Sequence, residues 1–200
     1  MAGMTGIMLN VPVSSLGNYR VCMDVPYSDA SSQAKLTACS NDPSQYVAVG
    51  AKQAGSSTLA LVAVARASEA FSQHCDARLA NGAYWYNCAG KSFGFAPTSS
   101  ISLSSADTNS DQCASRLSWH MDGSSGGYRS GCTTDLNSAS SYYKQIYILS
   151  GCKRSAMKGR VESGVRGSAW KEILPSVRWI QVIIHAIVFC LGSKGFQWGS

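Results

Sequence analysis

Arg116-Leu117-Ser118-Trp119-His120-Met121 decides the fold class. Large apolar side chains at 117, 119 and 121 alternate with Arg116, Ser118 and His120, and a period of two sends alternate residues to opposite faces of a strand. That pattern fits a half-buried antiparallel strand, because helical apolar residues recur every three to four positions. Asp122-Gly123-Ser124-Ser125-Gly126-Gly127 follows as a turn back into Tyr128 and Arg129.

Similar strand signals flank this stretch. Downstream stands Tyr142-Tyr143-Lys144-Gln145-Ile146-Tyr147-Ile148-Leu149; upstream stand Ala83 to Cys88, Ser92 to Phe95 and Ile101 to Leu103. Gly, Ser and Asn separate them. Further upstream, Tyr19 to Met23, Tyr46 to Gly50 and Ser57 to Ala65 are also strand-like, and Lys52 to Ser56 joins the last two as a hairpin. A helix competes over 58–70, where Ala and Leu are strong helix formers. Eight or nine short strands predict an all-β, antiparallel β-sandwich, jelly-roll-like, with a barrel as the alternative.

The cysteines point to a compartment. Cys22, Cys39, Cys75, Cys88, Cys113 and Cys132 are separated by 17, 36, 13, 25 and 19 residues, without a C-x-x-C or a Cys/His cluster of zinc spacing. Of the 15 connectivities open to six cysteines, the nearest-neighbour set Cys22–Cys39, Cys75–Cys88 and Cys113–Cys132 is expected, since each pair closes a hairpin-like segment. The alternative is six reduced, buried thiols. Disulfides imply a secreted, extracellular protein. Met1 to Pro12 has no basic leader region, and Asn10 breaks its apolar stretch, so no signal peptide is visible. One module of a longer secreted protein, or an alternative product, reconciles the two.

Tyr84 to Tyr86, Phe93 to Phe95, Asp107 to Asp111, Arg116 to His120, Gly126 to Gly131, Leu136 to Ser138 and Tyr143 to Tyr147 form an ordered series. Together they resemble a recurring module of extracellular, often multidomain proteins. The resemblance covers residues 16–150; it implies that compartment and an all-β fold, and transfers no catalytic residue.

Charge divides the chain. Residues 1–152 carry nine Lys or Arg and nine Asp or Glu, whereas residues 153–200 carry eight basic residues against Glu162 and Glu172, the whole net charge of +6. The organisation expected is a lead (1–15), a disulfide-linked β-module (16–152) and a basic tail (153–200). A neutral module gives no support to a nucleic-acid partner. In the tail, 179–191 is apolar but too short to span a bilayer, which needs about 20 residues. Membrane contact is expected only there, the segment being an interfacial or a buried helix. Translated non-coding sequence would produce the same composition shift.

Chemistry-bearing motifs are sparse. His120 and Asp122 share a strand face, the pairing a secreted hydrolase would need, but no G-x-S-x-G elbow accompanies them. Glu69 is the module's one glutamate, which disfavours a glycosidase pair. Asp107, Asn109 and Asp111 alternate as calcium ligands do, yet Gln112 stands where the loop glycine belongs, so a polar loop with Asx turns is expected. No metal and no cofactor are expected. Exposed aromatics can stack on sugar rings at low entropic cost. The ligand-binding residues expected are therefore Tyr84, Trp85, Tyr86, His120, Asp122, Tyr128, Arg129 and Asn137. Strand alternation puts Trp85 on the face opposite Tyr84 and Tyr86, so one set is core. The function expected is extracellular recognition or adhesion, possible partners being a glycan (lectin-like binding) or a cell-surface protein. A hydrolase or a structural matrix component is the alternative.

Overall fold

The computed structural model describes residues 4–123 and 126–149. Ten strands and two short helices lie among them: β1 (Ile7–Pro12), β2 (Tyr19–Pro26), α1 (Gln33–Cys39), β3 (Tyr46–Gln53), β4 (Thr58–Arg66), α2 (Ala67–Ala70), β5 (His74–Ala80), β6 (Ala83–Cys88), β7 (Ser92–Ala96), β8 (Leu117–His120), β9 (Arg129–Ser130) and β10 (Tyr142–Leu149). They form two antiparallel five-stranded sheets, the first in the order β1-β4-β3-β10-β2 and the second β5-β6-β7-β8-β9. The expected sandwich is present. In the first sheet β10 returns to lie between β2 and β3, a Greek-key-like crossing, while the second is a simple meander inserted between β4 and β10.

Alternation builds the core. Val47, Val49, Leu61, Ala63, Ile146 and Ile148 of the first sheet share one cluster with Trp85, Phe93, Phe95, Leu117 and Trp119 of the second. Each buried large side chain stabilises by roughly 1.5–3 kcal/mol. Trp85 meets Phe95 edge to face at 5.3 Å and Phe93 meets Trp119 in a tilted pair at 5.2 Å between ring centroids, both favourable aromatic geometries. Trp119 Nε1 donates to Tyr27 Oη, which donates in turn to the Arg129 carbonyl, so the buried polar ends of both rings are satisfied.

The expected hairpin of β3 and β4 forms, Tyr46 pairing with Arg66 and Ala51 with Leu61. The strand and helix tendencies of 58–70 are both realised, in sequence. Pairing of β4 with β1 on one side and β3 on the other outweighs the helix propensity of its Ala and Leu, and a single helical turn, α2, begins where the ladder ends at Arg66.

Three elements lay outside the sequence expectations. Strand β1 lies in the stretch read as a lead and pairs with β4 from Ile7↔Ala63 to Pro12↔Thr58. Strand β5 joins β6 through Asn81-Gly82, whose φ values of 49° and 79° match a type I′ turn. Asn81 Nδ2 donates to the Met4 and Val64 carbonyls, and the Gly6 amide donates to Asn81 O at 2.7 Å, so this turn also anchors the start of β1. Helix α1 is capped by Ser32, whose Oγ accepts from the Lys35 amide, and is too short to reveal a period. Conversely, Ile101 to Leu103 forms no strand; Leu103 makes only an isolated bridge with Asp107.

All three expected disulfides are present. Cys22 of β2 joins Cys39 at the end of α1, Cys75 of β5 joins Cys88 of β6, and Cys113 joins Cys132 just after β9. No helix among the described residues is long and apolar enough to cross a membrane. The tail, including 179–191, lies outside the described residues.

Candidate functional site

Because Trp85, Phe93, Phe95, Leu117 and Trp119 point into the sandwich, the alternate residues Tyr84, Tyr86, Ser92, Gly94, Ser118 and His120 occupy the outer face of the second sheet. Arg129 of β9, opposite Ser118, extends that face, and Tyr128 adjoins it, its amide donating to the Ser118 carbonyl. Five of the eight ligand-binding residues expected from the sequence thus meet on one face: Tyr84, Tyr86, His120, Tyr128 and Arg129.

The loop 97–112 lies against this face and is fixed by a buried ion pair. Asp107 Oδ2 accepts from Arg116 Nη1 at 2.8 Å, both side chains fully buried. Asp107 Oδ1 accepts the Ser102 and Asn109 amides, and Asn109 Oδ1 accepts the Asp111 amide. These are successive Asx turns. The Asp107 carboxylate is engaged on both oxygens, and no cluster of metal-ligating residues occurs among the described residues. Arg116 also donates to the Asp111 and Ser100 carbonyls, so one guanidinium ties together both ends of the loop. The Asp107 amide donates to Ser118 Oγ, which shares a 2.6 Å hydrogen bond with Ser92 Oγ.

This cover corrects part of the expected site. Trp85 belongs to the core, its indole Nε1 donating to the Ala80 carbonyl. Tyr86 is on the outer face yet fully buried; its hydroxyl donates to the Leu117 carbonyl, and burial pushes its phenol far above the ordinary range. The close packing requires Gly94 beside it, where a Cβ would sit 1.9 Å from Leu117 O and 2.6 Å from Tyr86 Oη. Neither Trp85 nor Tyr86 offers surface to a ligand.

A smaller patch remains at the β8–β9 end. Tyr128 is half-buried; the His120 imidazole lies 6.1 Å from its ring in an edge-to-face arrangement, and the Arg129 guanidinium lies 5.5 Å from the ring centroid. The Leu136 amide donates to the Tyr128 carbonyl, bringing the next residue, exposed Asn137, to the same end. Asp122 is exposed two residues beyond His120. Tyr84 is half-buried on β6, two strands away from β8.

His120 is nearly buried and its Nδ1 lies 2.8 Å from the Ser105 carbonyl. No Ser or Thr hydroxyl among the described residues hydrogen-bonds its ring, so the nucleophile that a hydrolase requires is not assembled there. A groove of about 590 Å³ lies elsewhere, between α1 and α2, lined by Ala38, Pro43, Ser68 and Phe71 among others. None of the expected residues lines it. The chain matches no family model, no curated protein and no solved structure.

Proposed function

We propose that this β-module is a non-enzymatic recognition module of the extracellular surface that binds carbohydrate at the β8–β9 end of its second sheet. Its three disulfides are typical of secreted or extracellular proteins. The observation that carries the reading is the half-buried Tyr128 ring, packed beside His120 and Arg129, with exposed Asn137 at the same end. An aromatic side chain packed against its neighbours loses little entropy when a sugar contacts it, and a short polar side chain at the same end can take a sugar hydroxyl.

Glycan-array binding of the full chain, followed by titration of the best ligand, tests this. Tyr128→Ala is expected to weaken binding by about 30-fold, the scale of a modest interface hot spot. Asn137→Ala should cost about fivefold, one neutral hydrogen bond. Leu79→Ala, exposed on β5 at the far edge of the same sheet, should leave affinity unchanged. Absence of any bound glycan, or equal affinity of Tyr128→Ala and the parent, overturns the proposal.

A further inference from the structure

We infer that Arg129 is the receptor for an oxyanion, a carboxylate or sulfate, carried on the saccharide; this inference rests on the carbohydrate reading of the same site. Arg129 is only 2% exposed, yet it makes no ion pair among the described residues. The other buried guanidinium of this face, Arg116, is neutralised by Asp107, so Arg129 leaves the buried cluster with one uncompensated positive charge. Burying a charge without a partner costs several kcal/mol, and natural sites normally supply one.

The hydrogen-bonding inventory points the same way. Nη1 donates to the Asn109 carbonyl at 2.5 Å, and the guanidinium lies over the Tyr128 ring. Nε, by contrast, is buried with no hydrogen-bond partner among the described residues. Nε and Nη2 form one edge of the guanidinium fork, whose two parallel N–H groups match the two oxygens of a carboxylate or sulfate. The edge facing Asn109 is taken; Nε on the other edge is unpaired among the described residues but shielded from solvent, so an incoming oxyanion has to displace the side chains that cover it. A sugar packed against the Tyr128 side chain would stand close to Arg129, because the guanidinium lies 5.5 Å from the ring centroid.

The test follows the Arg129 Nε–H resonance of the full chain, assigned through its side-chain correlations, during titration with 3′-sialyllactose, a sulfated disaccharide and neutral lactose. The expected result is a saturable shift of Nε–H with one or both acidic sugars and none with lactose, with the acidic sugar binding about tenfold more tightly, the scale of one charge-assisted hydrogen bond. Which acidic sugar acts distinguishes carboxylate from sulfate. Arg129→Lys keeps the charge but removes the fork, and should abolish the acidic preference; if that variant does not fold, the Nε–H titration decides alone. Equal binding of lactose and the acidic sugars, sensitive to Tyr128→Ala, overturns the Arg129 assignment and leaves carbohydrate recognition standing. No binding of any of the three sugars, together with a blank glycan array, overturns both.

Discussion

Replacing Asp107 by Asn leaves the loop 97–112 with its shape but without its charge. The Asn side-chain oxygen can still accept the Ser102 and Asn109 amides, as Asp107 Oδ1 does at 3.0 and 3.1 Å. Its Nδ2 then faces Arg116 Nη1, donor against donor, at the position where the carboxylate accepted a 2.8 Å charge-assisted bond. The guanidinium is left buried and uncompensated, and breaking a fully buried pair from one side costs about 3–5 kcal/mol. Against a total stability of about 5–15 kcal/mol, that is a large fraction. At about 2–4 °C per kcal/mol for a domain of this size, the melting temperature should fall by about 6–20 °C.

Near-UV circular dichroism melting with the disulfides intact measures it, and a urea midpoint checks the equivalent free energy. A fall below about 3 °C would refute the claim that this ion pair pins the loop. Asp107→Leu combined with Arg116→Met removes both charges and should recover more than half of the loss, since replacing a buried pair by apolar residues is often neutral. Failure to recover would show that the Ser102 and Asn109 amides, which Asp107→Leu leaves without their acceptor, matter as much as the ion pair. Asp107→Asn should also weaken glycan binding, because the loop supplies the Asn109 and Ser105 carbonyls that hold Arg129 and His120.

Lys144 gives a pH signature. Its Nζ is buried at one end of the sandwich and donates to the Asp29 carbonyl, to Ser31 Oγ at 2.7 Å and to the Gly126 carbonyl at 3.2 Å. Burial pushes its pKa down to about 8, with the Asp29 carboxylate opposing and the Lys35 ammonium adding to the fall. Between pH 8 and 10 the unfolded chain therefore binds more protons than the native one, so stability should rise with pH, by no more than about 3 kcal/mol. With free thiols blocked, the urea midpoint should climb across this window in the parent and stay flat in Lys144→Met; a parent midpoint that falls contradicts the assignment. Above pH 10 the trend reverses: burial raises Tyr27, Tyr86 and Tyr147, the last to about 12, and the stability they contribute is present below pH 10 and lost above it. Non-reducing peptide mapping should return Cys22–Cys39, Cys75–Cys88 and Cys113–Cys132, and Cys113→Ser with Cys132→Ser should lower stability by about 3 kcal/mol in urea titration. Any other pairing would contradict the strand register that brings these residues together.

The sandwich was legible where alternation coincided with large side chains. Leu117, Trp119 and Met121 declared the inner face of β8, and Val47 with Val49 declared that of β3, because the large apolar side chains go to the inter-sheet core and small or polar ones to the outer face, although both faces of these strands are buried. Strand β5 carried no such signal: Arg78 and exposed Leu79 stand at the sheet edge, where one face and one ladder are free of constraint, and its pairing with β6 is irregular between His74 and Arg78. Asn81-Gly82 was the clue available there, a hairpin dipeptide that could have revealed both strands at once.

The site was half-legible for a related reason. Alternation shows which residues share a face, so Trp85 could be separated from Tyr84 and Tyr86, but it does not show what covers the outer face. The answer lies with Asp107, whose sequence context resembles a metal loop and whose partner, Arg116, is nine residues away. Once that pair pins the loop across the sheet, Tyr86 becomes interior although it points away from the core, and what stays accessible near β8 and β9 is half-buried Tyr128 with exposed Asp122 and Asn137. Exposure of a strand aromatic is thus decided by one ion pair in a neighbouring loop, and breaking that pair should expose Tyr86 to solvent as well as destabilise the fold.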